Sequence, residues 1–140
     1  MLNFVELLNE KLEERDKSIK DLEDCGVIPK NSFYQYKTYT PFLPTVLKIA
    51  NFLEMSLDYF VNRTPNNNFK EYNLEQHSFF DKLQKMIKFS HSSQIKLAKN
   101  INIGRTNFSY WKNGSLPKLI TLVDIANDLG CFIDDLLEHK

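Results

Sequence analysis

Apolar residues recur along most of the chain with the spacing of amphipathic helices. In the second half, Phe79, Phe80, Leu83, Met86 and Ile87 follow an i, i+3, i+4, i+7 pattern. That spacing places all five side chains on one face of a helix. Four further helices are predicted downstream, over Ser93–Lys99, Arg105–Lys112, Leu119–Leu129 and Ile133–Glu138. Ser93 is a good N-cap, and Asn113-Gly114 is a helix-stop and turn signal.

The first half repeats this plan. Ile49-Ala50-Asn51 matches Ile125-Ala126-Asn127 at an offset of 76 residues, and upstream of these motifs Leu22 matches Leu97 at an offset of 75. Helices are therefore predicted near residues 2–15, 18–24, 30–37, 43–53 and 57–62. The fold class we expect is all-α, with two five-helix units in tandem.

The domain boundaries follow from the repeat and from the polar stretch Asn62-Arg63-Thr64-Pro65-Asn66-Asn67-Asn68, which disfavours a helix. We predict a first domain over residues 1–62, a linker over 63–76 and a second domain over 77–140. Each domain has about 60 residues, which is small but sufficient for a helical core.

Charge is balanced overall but segregated along the chain. Eighteen Lys and Arg residues offset eighteen Asp and Glu residues. Residues 1–24 carry a net charge of −4, residues 25–53 carry +3, residues 82–118 carry +8 with no acid, and residues 119–139 carry −5. A neutral molecule with this arrangement can present a basic face to phosphates. The alternative is that the lysines simply keep helix surfaces hydrated.

The second half contains a motif that spans several helices. It reads Ser93-Gln94-Ile95-Lys96-Leu97-Ala98, a short turn, and then Gly104 to Gly114, with the sequence GRTNFSYWKNG. This pattern resembles the Cro/CI-type (XRE family) helix-turn-helix of phage repressors and bacterial regulators. The resemblance covers residues 79–138 well and residues 4–62 more loosely. It implies a lambda-repressor-like fold whose second motif helix enters the DNA major groove.

The amphipathic pattern of the predicted recognition helix separates its core side chains from its candidate DNA-binding side chains. Phe108 and Trp111 face inward. Arg105 can bridge guanine O6 and N7, and Thr106 can meet a thymine methyl group or a base edge. The outer face also includes Asn107 and Tyr110, although the Tyr110 ring could instead cover the core. Asn107, Lys112 and Asn113 are candidates for phosphate contacts. By the family resemblance, Gln94 bridges the DNA backbone and the recognition helix.

The equivalent outer face of the first repeat is also polar, with Phe33 and Tyr36 predicted to face inward. Its candidate DNA contacts are Lys30, Asn31, Ser32, Gln35 and Lys37. This repeat departs from the family pattern at Ile19, Glu23 and Thr38–Thr40, and it begins with the acidic segment. It could serve as a weaker half-site reader or as a dimerisation module.

Other kinds of site have little support in the sequence. His77, His91 and His139 are scattered and do not have metal-ligand spacing. Cys25 and Cys131 do not form a CxxC motif, and we expect both to be reduced. We find no nucleophile motif, phosphate loop or cofactor motif, so we expect no enzyme activity, cofactor or small-molecule substrate.

We therefore expect a cytoplasmic, sequence-specific transcriptional regulator that binds double-stranded DNA and has no membrane segment. A single chain could cover two half-sites, or a homodimer could use only its second domains. The alternative function is a protein-interaction module of the anti-repressor type, which keeps the helix-turn-helix fold without reading DNA.

Overall fold

The computed structural model describes residues 2–140 as a helical chain, and no strand forms within that range. An isolated antiparallel bridge joins Tyr72 and His139. The α-helices are α1 (Phe4–Glu14), α2 (Ile19–Asp24), α3 (Leu43–Leu53), α4 (Leu57–Phe60), α5 (Phe79–Phe89), α6 (Gln94–Ile101), α7 (Thr106–Lys112) and α8 (Leu119–Leu129). Two 3-10 helices, Phe33–Lys37 and Ile133–Leu136, complete the order. The all-α prediction is confirmed.

The helices recur at the spacing of the sequence repeat. Helices α1 and α5 each have 11 residues and begin 75 positions apart. Helices α3 and α8 also have 11 residues each and begin 76 positions apart. The aromatic packing recurs too, because the ring pairs Phe4–Tyr36 and Phe79–Trp111 are both edge-on at 5.7 Å.

Polar side chains fix where several of these helices begin. Ser18 forms a capping box with Asp21 at the start of α2. The Ser93 side chain accepts a hydrogen bond of 3.1 Å from the Lys96 amide at the start of α6. Each of these bonds satisfies an amide that has no partner within its own helix. The predicted N-cap at Ser93 is thus confirmed.

The chain divides into two compact units. Unit 1 ends at Leu74 and includes His139 and Lys140, while unit 2 is Glu75–Glu138. Unit 1 has its core between α1, α3 and α4, where Leu8, Leu47 and Leu57 are fully buried.

Of the predicted linker over residues 63–76, residues 63–74 belong to unit 1, and residues 75 and 76 belong to unit 2. Tyr72 is fully buried, and its hydroxyl accepts a hydrogen bond of 2.8 Å from the Leu57 amide. The Asn51 side chain bonds both the amide and the carbonyl of Tyr72, at 2.8 and 3.0 Å. Asn67 accepts from the Ser56 amide at 2.9 Å. Side chains of the segment that suggested a linker therefore accept hydrogen bonds from backbone amides at the start of α4.

In unit 2, α6 packs against α8 and α7 packs against α5. Leu97, Leu122 and Ile125 are fully buried. The end of the unit is held by Glu138, whose carboxylate accepts a hydrogen bond of 2.8 Å from the His77 amide. That bond, made to the charged form, holds the pKa of Glu138 below its ordinary value.

Candidate nucleic-acid interface

Helices α6 and α7 form a helix-turn-helix. Helix α6 ends at Ile101 and is followed by its C-cap Asn102, which has a left-handed backbone with φ of 58°. The Ile103 amide then bonds the Ala98 carbonyl at 3.0 Å, which closes the turn. Asparagine adopts this conformation more readily than most residues because its short polar side chain can hydrogen-bond locally. The Asn107 side chain donates to the Gly104 carbonyl at 3.0 Å and holds the start of α7.

The inner face of α7 is aromatic and anchored. Phe108 and Trp111 are buried, and their rings meet edge-on with centroids 5.2 Å apart. Trp111 also packs against Phe79 of α5. Because these rings fix the rotation of α7, its opposite face is held in one orientation. The predicted inward orientation of Phe108 and Trp111 is confirmed.

The outer face of α7 is polar and accessible. Arg105, Thr106 and Lys112 are exposed, as is Asn113, which follows the helix as its C-cap. The Tyr110 side chain is 61% exposed, so its ring does not cover the core. Ser109, which sequence reasoning did not select, is also exposed on this face. Its position three residues after Thr106 was the available signal.

The candidate base-reading side chains are not engaged by any other residue that the structure describes. Among residues 2–140, the side chains of Arg105, Thr106 and Tyr110 make no hydrogen bond or ion pair. Gln94 is the first residue of α6 and is half-buried. The side-chain amide of Gln94 also makes no hydrogen bond in the described part of the chain. Free donors on a fixed helix face are suited to an external polar partner.

The basic residues from Lys82 to Lys118 are similarly free. Lys82 is half-buried and the other seven are exposed. None of the eight takes part in a salt bridge within residues 2–140. Unit 2 therefore carries eight basic side chains that form no salt bridge within the described residues, which favours contact with phosphates.

The corresponding segment of unit 1 differs from the prediction. A recognition helix over residues 30–37 was expected, but only a five-residue 3-10 helix forms, Phe33–Lys37. Asn31 has a left-handed backbone with φ of 63°, so the segment before Phe33 is a turn. The amide of Asn31 donates to the Glu23 carboxylate at 2.7 Å and stabilises that turn. Phe33 is half-buried, whereas Tyr36 is buried as predicted.

Two of the five candidate contacts in unit 1 are already engaged. The Ser32 hydroxyl donates to the Pro29 carbonyl at 2.7 Å, and Gln35 accepts from the Tyr39 hydroxyl at 2.5 Å. Lys30 and Lys37 are exposed, and neither makes an ion pair in the described range of the chain. This surface keeps free positive charge but has fewer free groups for reading base edges.

Within residues 2–140, no cluster of three or more His, Cys, Asp or Glu side chains is able to hold a metal ion. No helix in this range is long and apolar enough to cross a membrane.

Comparison with protein families identifies one region of the chain. Residues 82–140 match the model of the Cro/C1-type HTH DNA-binding domain. The match contains α6, α7 and the free basic residues, and it supports DNA binding by unit 2. Comparisons with curated proteins and with solved structures gave no match.

Proposed function

We propose that this protein is a sequence-specific transcriptional regulator of the phage or bacterial repressor type, in which unit 2 inserts α7 into the DNA major groove. The observation that most strongly supports this proposal is the exposure of Arg105 at the start of α7. The other face of this helix is fixed by the buried Phe108 and Trp111. The match of residues 82–140 to a DNA-binding domain supports the same conclusion. The protein acts on double-stranded DNA, in the cytoplasm.

The side chains divide into two roles in this proposal. Arg105 and Thr106 reach base edges and confer sequence preference, with Tyr110 beside them. Lys112 and Asn113, at the end of α7, contact phosphates and position the helix. Gln94 supports the recognition helix from α6. Asn107 holds the turn through Gly104 and presents its remaining polar atoms to the phosphate backbone.

The recurring helix lengths and aromatic pairs support the interpretation of unit 1 as a divergent second domain of the same lambda-repressor-like kind. Its candidate contacts, Lys30, Asn31, Ser32, Gln35 and Lys37, include two that are engaged internally. We therefore assign base reading to unit 2. A two-half-site operator would be bound by two chains, with their α7 helices about 34 Å apart.

Two single substitutions test this assignment. Arg105→Ala removes a bidentate base contact, so we expect a loss of about 1–3 kcal/mol in discrimination between the preferred duplex and a variant changed at one base pair. Lys112→Ala removes a phosphate contact. We expect it to weaken binding to all duplexes and to reduce the slope of log affinity against log salt by about 1. Fluorescence anisotropy with labelled duplexes over a range of salt concentrations measures both effects.

Gln84→Ala is the matched control for general damage, because Gln84 is an exposed, uncharged residue of α5 that is not among the proposed DNA contacts. Binding unaffected by both test substitutions would show that α7 is not the reader. Absence of duplex binding at low salt would overturn the proposal and would favour the protein-interaction function instead.

A further inference from the structure

Unit 1 exposes three aromatic side chains close together in the sequence, and two of them correspond to polar residues in unit 2. Tyr34, Tyr39 and Phe42 are 63%, 49% and 76% exposed. Phe42 is the N-cap of α3, and Lys118 is the N-cap of α8, the equivalent helix in unit 2. Tyr34 corresponds to Ser109 at the 75-residue offset of the repeat. Three such side chains within nine residues of the chain are available for contact with another molecule.

Free lysines occur before, between and after these aromatic residues along the chain. Lys30, Lys37 and Lys48 are exposed, and residues 25–53 contain no acid. None of the three lysines forms a salt bridge in the range 2–140. Exposed cationic and aromatic side chains are therefore interspersed along residues 30–48. The apolar centre of a protein interface, in contrast, is depleted in charged residues.

Local geometry orients two of the aromatic residues. A 3-10 helix has three residues per turn, so Tyr34 and Lys37 lie on the same side of Phe33–Lys37. The Tyr39 hydroxyl donates to Gln35 at 2.5 Å, and its ring meets Tyr36 edge-on at 6.3 Å. Tyr39 also borders a cleft of about 580 Å³, which Lys37 and the acidic Glu6 help to line.

We propose that this surface of unit 1 binds single-stranded nucleic acid. Bases of an unpaired strand would stack on Tyr34, Tyr39 and Phe42 while Lys30 and Lys37 contact the phosphates, a combination that tolerates any base sequence. A duplex is a poorer ligand for these rings because its bases are already stacked on one another. The proposal is independent of duplex reading by α7, since it concerns different residues in a different unit.

Anisotropy with labelled oligothymidylate of about twelve nucleotides tests this directly, since such a strand has the length of known single-strand sites. An abasic strand of equal length has the same phosphates without the bases, and oligouridylate distinguishes RNA from DNA. We expect oligothymidylate to bind at least about tenfold more tightly than the abasic strand, because each base stacked on an aromatic ring contributes an affinity gain of this order.

The variants Tyr34→Leu and Phe42→Leu keep apolar area but remove the aromatic ring. Each is expected to weaken oligothymidylate binding by about tenfold and to leave binding of the abasic strand unchanged. Phe89→Leu is the control, because Phe89 is 79% exposed but lies in unit 2. Glu6→Gln, which removes the carboxylate from the cleft, is expected to strengthen binding.

Three results would overturn the proposal. They are equal affinity for abasic and base-containing strands, full retention of binding in both leucine variants, and an equal loss in Phe89→Leu. Duplex binding by the same variants is measured in parallel. If these variants lose single-strand binding but keep duplex binding, the two sites are separate. If only duplex binding fails, the proposed reading of DNA by α7 is wrong and the single-strand proposal is unaffected.

Discussion

A few side chains decide how each unit uses its surface. In unit 2 the exposed side chains on α7 are polar and make no hydrogen bond within residues 2–140, and Arg105 is the strongest candidate for base contact. In unit 1 the equivalent segment exposes Tyr34 and uses Ser32 and Gln35 for internal hydrogen bonds. Two surfaces on a similar helical framework therefore have different binding chemistry.

Tyr72 shows how a single residue joins the polar segment to unit 1. The substitution Tyr72→Phe removes the hydroxyl that accepts from the Leu57 amide, and both residues are fully buried. The amide would then lack a partner, so we expect the free energy of unfolding to fall by about 1–3 kcal/mol. Urea unfolding of the full chain, followed by circular dichroism, measures the change.

Tyr34→Phe is the matched control, because its hydroxyl is lost from a side chain that is 63% exposed. Its effect should stay within about 0.5 kcal/mol. Equal stability of the two variants would mean that the segment before Leu74 does not contribute to unit 1, as the sequence had suggested.

The ends of α3 and α8 show the repeat at the level of helices. Both helices have a left-handed C-cap, with φ of 52° at Glu54 and 67° at Gly130. Glycine adopts this conformation without the steric clash that a Cβ atom makes with the carbonyl oxygen. Glu54 carries that clash. Its carbonyl still accepts from Arg15 at 3.1 Å, a contact that does not require the side chain.

Substitutions at the two C-caps are expected to change the free energy of unfolding in opposite directions. Glu54→Gly should raise the free energy of unfolding by about 1 kcal/mol, and Gly130→Ala should lower it by a similar amount. No heavy atom lies within 4 Å of a Cβ added at Gly130, so the cost there comes from the backbone alone. Chemical unfolding of each variant measures the differences.

Gly104→Ala serves as the comparison, since an added Cβ there makes only an ordinary contact of 3.5 Å with Thr106. Its stability should be close to that of the parent chain. If Gly130→Ala also left stability unchanged, the left-handed backbone at Gly130 would not require glycine, which would contradict the prediction.

The chain combines unit 2, which contains a helix-turn-helix with basic side chains, and unit 1, whose corresponding segment is a short 3-10 helix. Selection of duplexes from a random pool should therefore yield one preferred half-site per chain. Arg105→Ala should flatten that preference, because Arg105 contacts base edges in our proposal. Gln35→Ala should leave it unchanged, because the Gln35 side chain is engaged with Tyr39.

Recovery of two linked half-sites bound by a single chain, one of them altered by Gln35→Ala, would contradict this assignment. Such a result would make unit 1 a second reader of duplex DNA. Sequencing of the selected pools for the parent chain and both variants distinguishes the two cases.

Much of the architecture follows from the sequence alone. Hydrophobic periodicity and caps such as Ser93 predicted the helices, because burial of one helix face depends mainly on local spacing. The internal repeat predicted matching elements in both halves. The inward orientation of Phe108 and Trp111 followed from the same periodicity.

Tertiary structure decided the remaining features, because they depend on contacts between residues distant in the chain. Asn51 and Leu57 make Tyr72 part of unit 1, although its neighbouring sequence is typical of a linker. Glu23 stabilises the turn at Asn31, and only a short 3-10 helix follows where a recognition helix was expected. Periodicity describes which face of a segment is apolar. It does not reveal which distant polar partner will satisfy a given hydrogen-bonding group.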